Sequence, residues 1–88
     1  MTEYIVVDLT ETETREELHR RLADALDFPS WYGGNLDALF DMLSEEQGTI
    51  IMICRQRTED NLGEYFRTFR QVCLDAMDEN PDLDVIFY

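Results

Sequence analysis

Three short apolar runs constrain the fold of this chain more than any other feature. They cover residues 4–7, 50–54 and 85–88, and they are rich in Ile and Val. Near-continuous runs of this kind are typical of parallel strands that are covered on both faces, or nearly so. Long helical stretches separate the runs, as expected where crossover connections join parallel strands.

The first helix is predicted at about residues 14–26. Thr14 and Glu17 have the spacing of a capping box, in which a hydroxyl and a carboxylate satisfy free backbone N–H groups at the start of a helix. Phe28 precedes Pro29, and helical backbone angles are disfavoured for a residue that precedes proline. We therefore expect this helix to end shortly before the proline.

Two further helices follow in the pattern. The second is predicted to begin near Asn35, a favourable N-cap residue, and the third to cover roughly residues 62–78, before Asn80 and Pro81. The resulting order is strand-helix-helix-strand-helix-strand. It predicts one α/β domain over residues 1–88, with a three-stranded parallel sheet packed against helices.

Charge is the strongest global property of the chain. The chain has twenty acidic residues and seven basic ones, all arginine, which gives a net charge of −13 at pH 7. Such a field repels nucleic acids and acidic membranes and attracts cationic partners. The simpler interpretation is that the acidity only maintains solubility. No apolar run approaches the roughly 20 residues of a membrane span, and the N-terminus lacks the order of a signal peptide, so we expect a cytoplasmic protein.

Cysteine and histidine, which often carry catalysis or bind metals, are sparse in this chain. Cys54 and Cys73 have neither CxxC nor metal-ligand spacing, so we expect two buried free thiols. His19 is the only histidine, and a packing or helix-surface role fits it best. The chain has no phosphate-cradling glycine motif and no EF-hand spacing. We therefore expect no enzymatic activity, no cofactor and no bound metal.

The stretch FPSWYGGNLDALFDML, residues 28–43, combines aromatic residues with glycines. We expect one of the rings of Trp31 and Tyr32 to cover the end of the sheet and the other to be exposed, since such rings are enriched at interfaces. Gly33 and Gly34 lack Cβ atoms, so a partner can approach closely. The stretch is a candidate binding loop.

Two aspartates on the second predicted helix have unequal explanations. Asp37 lies in the first turn, where a negative charge is favourable by roughly 0.3–1 kcal/mol. Asp41 follows four residues later, and like charges at this spacing oppose helix formation by a few tenths of a kcal/mol. Ser44 continues the same polar stripe. The stripe is either a solvated helix face or a surface shaped for a partner at a small local cost.

The segment YGGNLDALFDML resembles the signature of the barstar family of ribonuclease inhibitors. The similarity extends over the chain through LHRRLADAL, FRQVCLDAM and DLDVIFY. The resemblance implies a two-layer α/β fold and a protein without a cofactor that plugs the active site of a small basic, barnase-like ribonuclease in a 1:1 complex.

The resemblance also implies roles for particular residues. Trp31 stands where the family has a tyrosine that stacks on a catalytic imidazole. Asp41 matches the acid that takes the substrate-phosphate position, and Asp37 matches a second contact acid. Other positions matched to the family's contact region are Gly33, Gly34, Asn35, Leu36, Ala38, Phe40, Ser44 and Asp75, the last as a supporting acid on the final helix.

Two other functions are compatible with the residues. The same acidic surface could serve an antitoxin, immunity or adaptor protein for a different basic toxin or nuclease. The acidic clusters could instead belong to a catalytic or metal-binding domain. The family resemblance favours the ribonuclease inhibitor.

Overall fold

The computed structural model describes residues 2–88. Its helices and strands follow one another along the chain in nearly the predicted order. In chain order they are β1 (Glu3–Asp8), α1 (Arg15–Leu26), α2 (Leu36–Ser44), β2 (Thr49–Cys54), α3 (Thr58–Leu62), α4 (Glu64–Glu79) and β3 (Leu83–Phe87).

The three strands form one parallel sheet in the order β1-β2-β3. Val7 pairs with Ile53 at the centre of the sheet, and Ile53 pairs with Phe87 on the other side. The predicted parallel three-stranded sheet is confirmed, and the predicted element order holds once the short helix α3 is added.

The third predicted helix, over roughly residues 62–78, is confirmed as α4, and the structure adds the five-residue helix α3 before it. The chain breaks at Gly63, whose φ of 56° ends α3 and precedes α4. The Gly63 N–H donates to the Glu59 carbonyl at 2.8 Å, which closes the last turn of α3. The segment before Gly63 has no apolar stripe long enough to reveal a five-residue helix.

The helices that build the core lie against one face of the sheet. α1 contacts β1, α4 contacts β3, and α2 packs on α4. The core consists of inward strand residues such as Val7 and Ile51, together with Leu18 of α1, Leu39 of α2 and Phe66 of α4, all almost fully buried. This arrangement gives the two layers that the family resemblance implies.

The opposite face of the sheet is open, and the expectation of strands covered on both faces is wrong. Tyr4, Val6 and Ile86 are exposed there, whereas Val7 and Val85 on the inner face are buried. The apolar runs are near-continuous because the outer face also carries apolar side chains, which is uncommon for a parallel sheet. A continuous apolar run in the sequence therefore does not show that both faces of the strand are covered.

Both cysteines are free thiols. Cys73 is buried, and burial raises the pKa of its thiol to about 12. Cys54 is half-buried, because it ends β2 on the outer face, so the expectation of a fully buried thiol is confirmed for Cys73 only. Within residues 2–88 no helix combines the length and the apolar character that crossing a bilayer requires.

Candidate functional site

The loop between α1 and α2 presents one aromatic ring and packs the other. Asp27 ends α1 in a left-handed conformation with φ of 56°, and the chain then turns so that the Tyr32 N–H donates to the Pro29 carbonyl at 3.0 Å. The Tyr32 ring packs against Phe28 with centroids 4.8 Å apart. Trp31 is 73% exposed. One ring is therefore packed, against Phe28 and His19, and the other is exposed; that the packed ring covers the end of the sheet stays a prediction.

The two glycines that follow serve different local needs. Gly34 has φ of 67°, a region that side chains with Cβ rarely adopt, and it faces open space. Gly33 lies close to the start of α2. A Cβ there would stand 3.1 Å from the side-chain amide nitrogen of Asn35. The pair therefore lets the chain turn sharply into the helix.

Asn35 fixes the start of α2, as predicted. Its backbone is extended, and its side-chain oxygen accepts a hydrogen bond from the Ala38 N–H at 2.8 Å. The other end of α2 is fixed by Asn80, whose buried side-chain amide donates to the Leu43 and Glu46 carbonyls at 3.0 and 2.7 Å. Carbonyls at a helix C-terminus have no partner within the helix, so Asn80 both satisfies them and ties α2 to the end of α4.

The apolar side of α2 determines where its acids point. Leu39 and Leu43 are buried in the core, while Asp37 and Asp41 are exposed. Ser44 donates its hydroxyl to the Phe40 carbonyl at 2.8 Å and so lies against its own helix. We refer to the exposed parts of residues 31–44 as the loop–helix surface.

Among residues 2–88, the two aspartates of this surface have no cationic partner. The ion pairs among residues 2–88 use the carboxylates of Glu11, Glu17 and Glu59, and none of these pairs reaches Asp37 or Asp41. Both carboxylates are therefore held on a fixed helix and are available to an outside partner.

A cleft of about 590 Å³ lies beside Asp41. It brings together several residues that the sequence pointed to, from the loop and from α2. Its lining consists of Trp31, Phe40, Asp41, Met42, Ser44, Glu45 and Glu79. The cleft therefore joins an exposed ring, an unpaired carboxylate and a further acid from α4.

The acid of α4 that reaches this cleft is Glu79, which was not predicted from the sequence. Asp75, the predicted supporting acid, accepts a hydrogen bond from the Gln71 side-chain amide at 3.0 Å on its own helix and does not line the cleft. Glu79 follows Asp75 by four residues, so both lie on one side of α4. That spacing was the available signal for Glu79.

Tyr32, the packed residue of the loop, is hydrogen-bonded to a buried side chain. The Tyr32 hydroxyl lies 2.6 Å from Nδ1 of His19, which is 3% exposed. Burial lowers the pKa of His19, an effect opposed by the negative charge of Glu16. Burial also raises the pKa of the Tyr32 phenol. At neutral pH both side chains are therefore uncharged.

Residues 2–88 contain no group of three or more His, Cys, Asp or Glu side chains placed to hold a metal ion. The acids of the loop–helix surface stand as separate, solvated carboxylates.

The one-sided parallel sheet and the capped acidic helix after an aromatic-glycine loop define the barstar-like class of α/β proteins. The chain belongs to the family described as "Barstar (barnase inhibitor)", whose model matches residues 2–88. A curated relative from Bacillus subtilis (strain 168), named "Putative ribonuclease inhibitor YrdF", is 36% identical over 81 residues, which cover 89% of each chain. The resemblance drawn from the segment around Asp37 and Asp41 is thereby confirmed.

Proposed function

We propose that this protein inhibits a small basic ribonuclease by closing its active site with the loop–helix surface. Membership of the Barstar (barnase inhibitor) family and the name of the Bacillus relative support the inhibitory role. The protein acts in the cytoplasm as a non-catalytic partner in a 1:1 complex, and it binds neither nucleic acids nor membranes.

The observation that carries the proposal is the exposed, unpaired carboxylate of Asp41 beside the exposed ring of Trp31. A ribonuclease site is cationic, because it must hold phosphates and stabilise the charge that develops during cleavage. A carboxylate held on a helix can take the position of a phosphate and accept two hydrogen bonds from one arginine. Asp41 is therefore a phosphate mimic in this proposal.

The spacing of the two aspartates fits the same interpretation. In the free protein, Asp37 and Asp41 repel each other across one turn of α2. In the complex, cations of the enzyme lie against both carboxylates, and the interaction energy changes sign. Glu79 extends the negative charge across the cleft from α4. The surface is thus better matched to a cationic site than to water.

Trp31 supplies the apolar part of the contact. Its ring is exposed in the free protein and stands next to the packed, hydrogen-bonded Tyr32. A tryptophan face stacks favourably on flat or cationic groups such as an imidazole or a guanidinium. We assign Trp31 to stacking against such a group at the mouth of the ribonuclease site.

The test is RNA cleavage by a set of small basic ribonucleases, measured while this protein is titrated into each. We expect one or more of them to lose activity with an end point at one inhibitor per enzyme. The matched control is the double variant Asp37→Asn, Asp41→Asn, which keeps the shape of the surface and removes its charge.

Two results would contradict the proposal. One is that no ribonuclease in the set is slowed. The other is that the double variant inhibits as well as the unmodified protein. Inhibition of a basic nuclease or toxin that is not a ribonuclease would instead favour the antitoxin function.

A further inference from the structure

One buried histidine joins three separate parts of the molecule. His19 lies on α1, and its Nδ1 is 2.6 Å from the hydroxyl of Tyr32 in the loop. Its Nε2 is 2.7 Å from the hydroxyl of Tyr65 on α4. We call these three side chains the tyrosine–histidine clasp.

The clasp satisfies the imidazole completely. A neutral imidazole has one N–H donor and one acceptor nitrogen, so one tyrosine hydroxyl accepts from the ring and the other donates to it. His19 is almost fully buried, and Tyr32 and Tyr65 are half-buried. Removing either hydroxyl would leave a ring nitrogen without its partner in a place that water reaches poorly.

The Tyr65 end of the clasp is firmly held. Tyr65 lies in the first turn of α4, the longest helix, which packs on both α2 and β3. The guanidinium of Arg15 stands 4.7 Å above the Tyr65 ring, a cation–π distance. The hydroxyl of Tyr65 is therefore a fixed point on the helical layer.

The Tyr32 end belongs to the loop that carries the proposed contact. Tyr32 stands between exposed Trp31 and Gly33, and its side chain is the one that turns inward. A loop that contains two glycines loses much conformational entropy when it is ordered. A hydrogen bond from its inward residue to a buried group orders it before the partner arrives.

We propose that the tyrosine–histidine clasp holds the loop in its binding shape, and that His19 and Tyr65 are positioning residues for the loop–helix surface. The proposal rests on the proposed function, because the binding shape matters only if this surface meets the ribonuclease. Preorganisation lowers the entropy lost on association, so the clasp increases affinity without touching the partner.

The decisive variant is Tyr65→Phe, which removes one hydroxyl from the clasp at a residue outside the loop–helix surface. The matched control is Tyr4→Phe, which removes a hydroxyl from the open face of the sheet. The first readout needs no partner. It is hydrogen exchange of the Tyr32 amide, which donates to the Pro29 carbonyl in the ordered loop, with the Ile53 amide in the central strand as the internal reference.

We expect Tyr65→Phe to speed exchange of the Tyr32 amide by about three- to tenfold, the net effect of one hydrogen bond, and to leave the Ile53 amide unchanged. We expect the same variant to weaken binding to the inhibited ribonuclease by a similar factor. His19→Gln should act in the same direction. Tyr4→Phe should change neither readout.

Identical Tyr32 exchange in the Tyr65→Phe and Tyr4→Phe proteins would overturn the clasp. So would faster Tyr32 exchange with no loss of affinity, since the hydrogen bonds would then order the loop without serving binding. If the unmodified protein inhibits no ribonuclease, the proposed function fails, and the exchange measurement still decides whether the clasp orders the loop.

Discussion

At the scale of single residues, Asp37 and Asp41 have opposite effects on the helix that carries them. Asp37 lies in the first turn of α2, where the helix dipole favours a negative charge, while Asp41 lies in the second half and repels Asp37. We expect Asp37→Asn to lower the free energy of unfolding by about 0.5 kcal/mol and Asp41→Asn to raise it by a similar amount. Urea unfolding of the free proteins measures both. A loss of more than about 1 kcal/mol in Asp41→Asn would assign Asp41 a structural role instead.

His19 makes a second residue-scale prediction, on pH. Burial lowers its pKa below the ordinary value of 6.5, so the unfolded chain takes up the proton first. The stability that follows from this difference is complete above pH 6.5 and is lost as the pH falls through 6.5 towards the lowered value. We therefore expect the free energy of unfolding to decrease between pH 7.5 and pH 5.5.

The control for this prediction is His19→Gln, which should show a flatter profile over the same range. The charged groups around the imidazole are retained in that variant. They are Arg15 above Tyr65, and Glu16, Arg20, Asp24 and Asp27, which line a second cleft together with His19 and Tyr32. The lowered pKa values of Asp8 and Glu17 act only in more acidic solution, below about pH 4.5. Equal profiles for the two proteins would show that His19 does not titrate differently on folding.

At the scale of elements, the one-sided sheet makes adjacent residues of one strand unequal. Val6 is 58% exposed on the open face, and Val7 is fully buried on the core face. We expect Val7→Ala to lower the free energy of unfolding by about 2 to 3 kcal/mol, because it removes buried methyl groups and leaves a cavity. Val6→Ala should lower it by less than about 1 kcal/mol. Similar losses in chemical unfolding would contradict the two-layer arrangement.

Much of this element structure could be predicted because its signals are local. Asn35 at the start of α2 and Asn80 before a proline gave the helix boundaries from nearest-neighbour chemistry. The strands followed from runs of Ile and Val. The short helix α3 before Gly63 could not be predicted, because a five-residue helix has too few turns to show a period. The exposure of the outer face of the sheet could not be predicted, because burial depends on which elements pack against that face. In the sequence, Tyr4 and Val6 look the same as apolar residues that are covered.

The candidate site was predictable in part for the same reason. Trp31 and Asp41 stand out within one short segment, and the family resemblance gave them roles. Glu79 comes from α4, and its place in the cleft depends on how α4 packs on α2. The clasp joins His19 to Tyr65 across 46 residues of sequence, a contact that no local pattern specifies.

At the scale of the whole molecule, the net charge of −13 governs the approach to the proposed cationic partner. Long-range attraction speeds association, and salt screens it with a Debye length of roughly 30 Å at 0.01 M and 10 Å at 0.1 M. We expect the association rate constant with the inhibited ribonuclease to fall at least about tenfold over that range, and the dissociation rate to change much less. Stopped-flow mixing at several salt concentrations measures this. An association rate independent of salt would contradict electrostatic steering.

We propose above all that Asp41 takes the place of an RNA phosphate in the cationic site of the ribonuclease. The most direct measurement is the Kd of the inhibited ribonuclease for Asp41→Asn beside Glu3→Gln, a matched loss of one exposed charge on β1. We expect Asp41→Asn to raise Kd by at least about 30-fold, since a desolvated charge pair is broken, and Glu3→Gln to raise it less than about threefold. Equal changes in the two variants would contradict the role of Asp41 as a phosphate mimic.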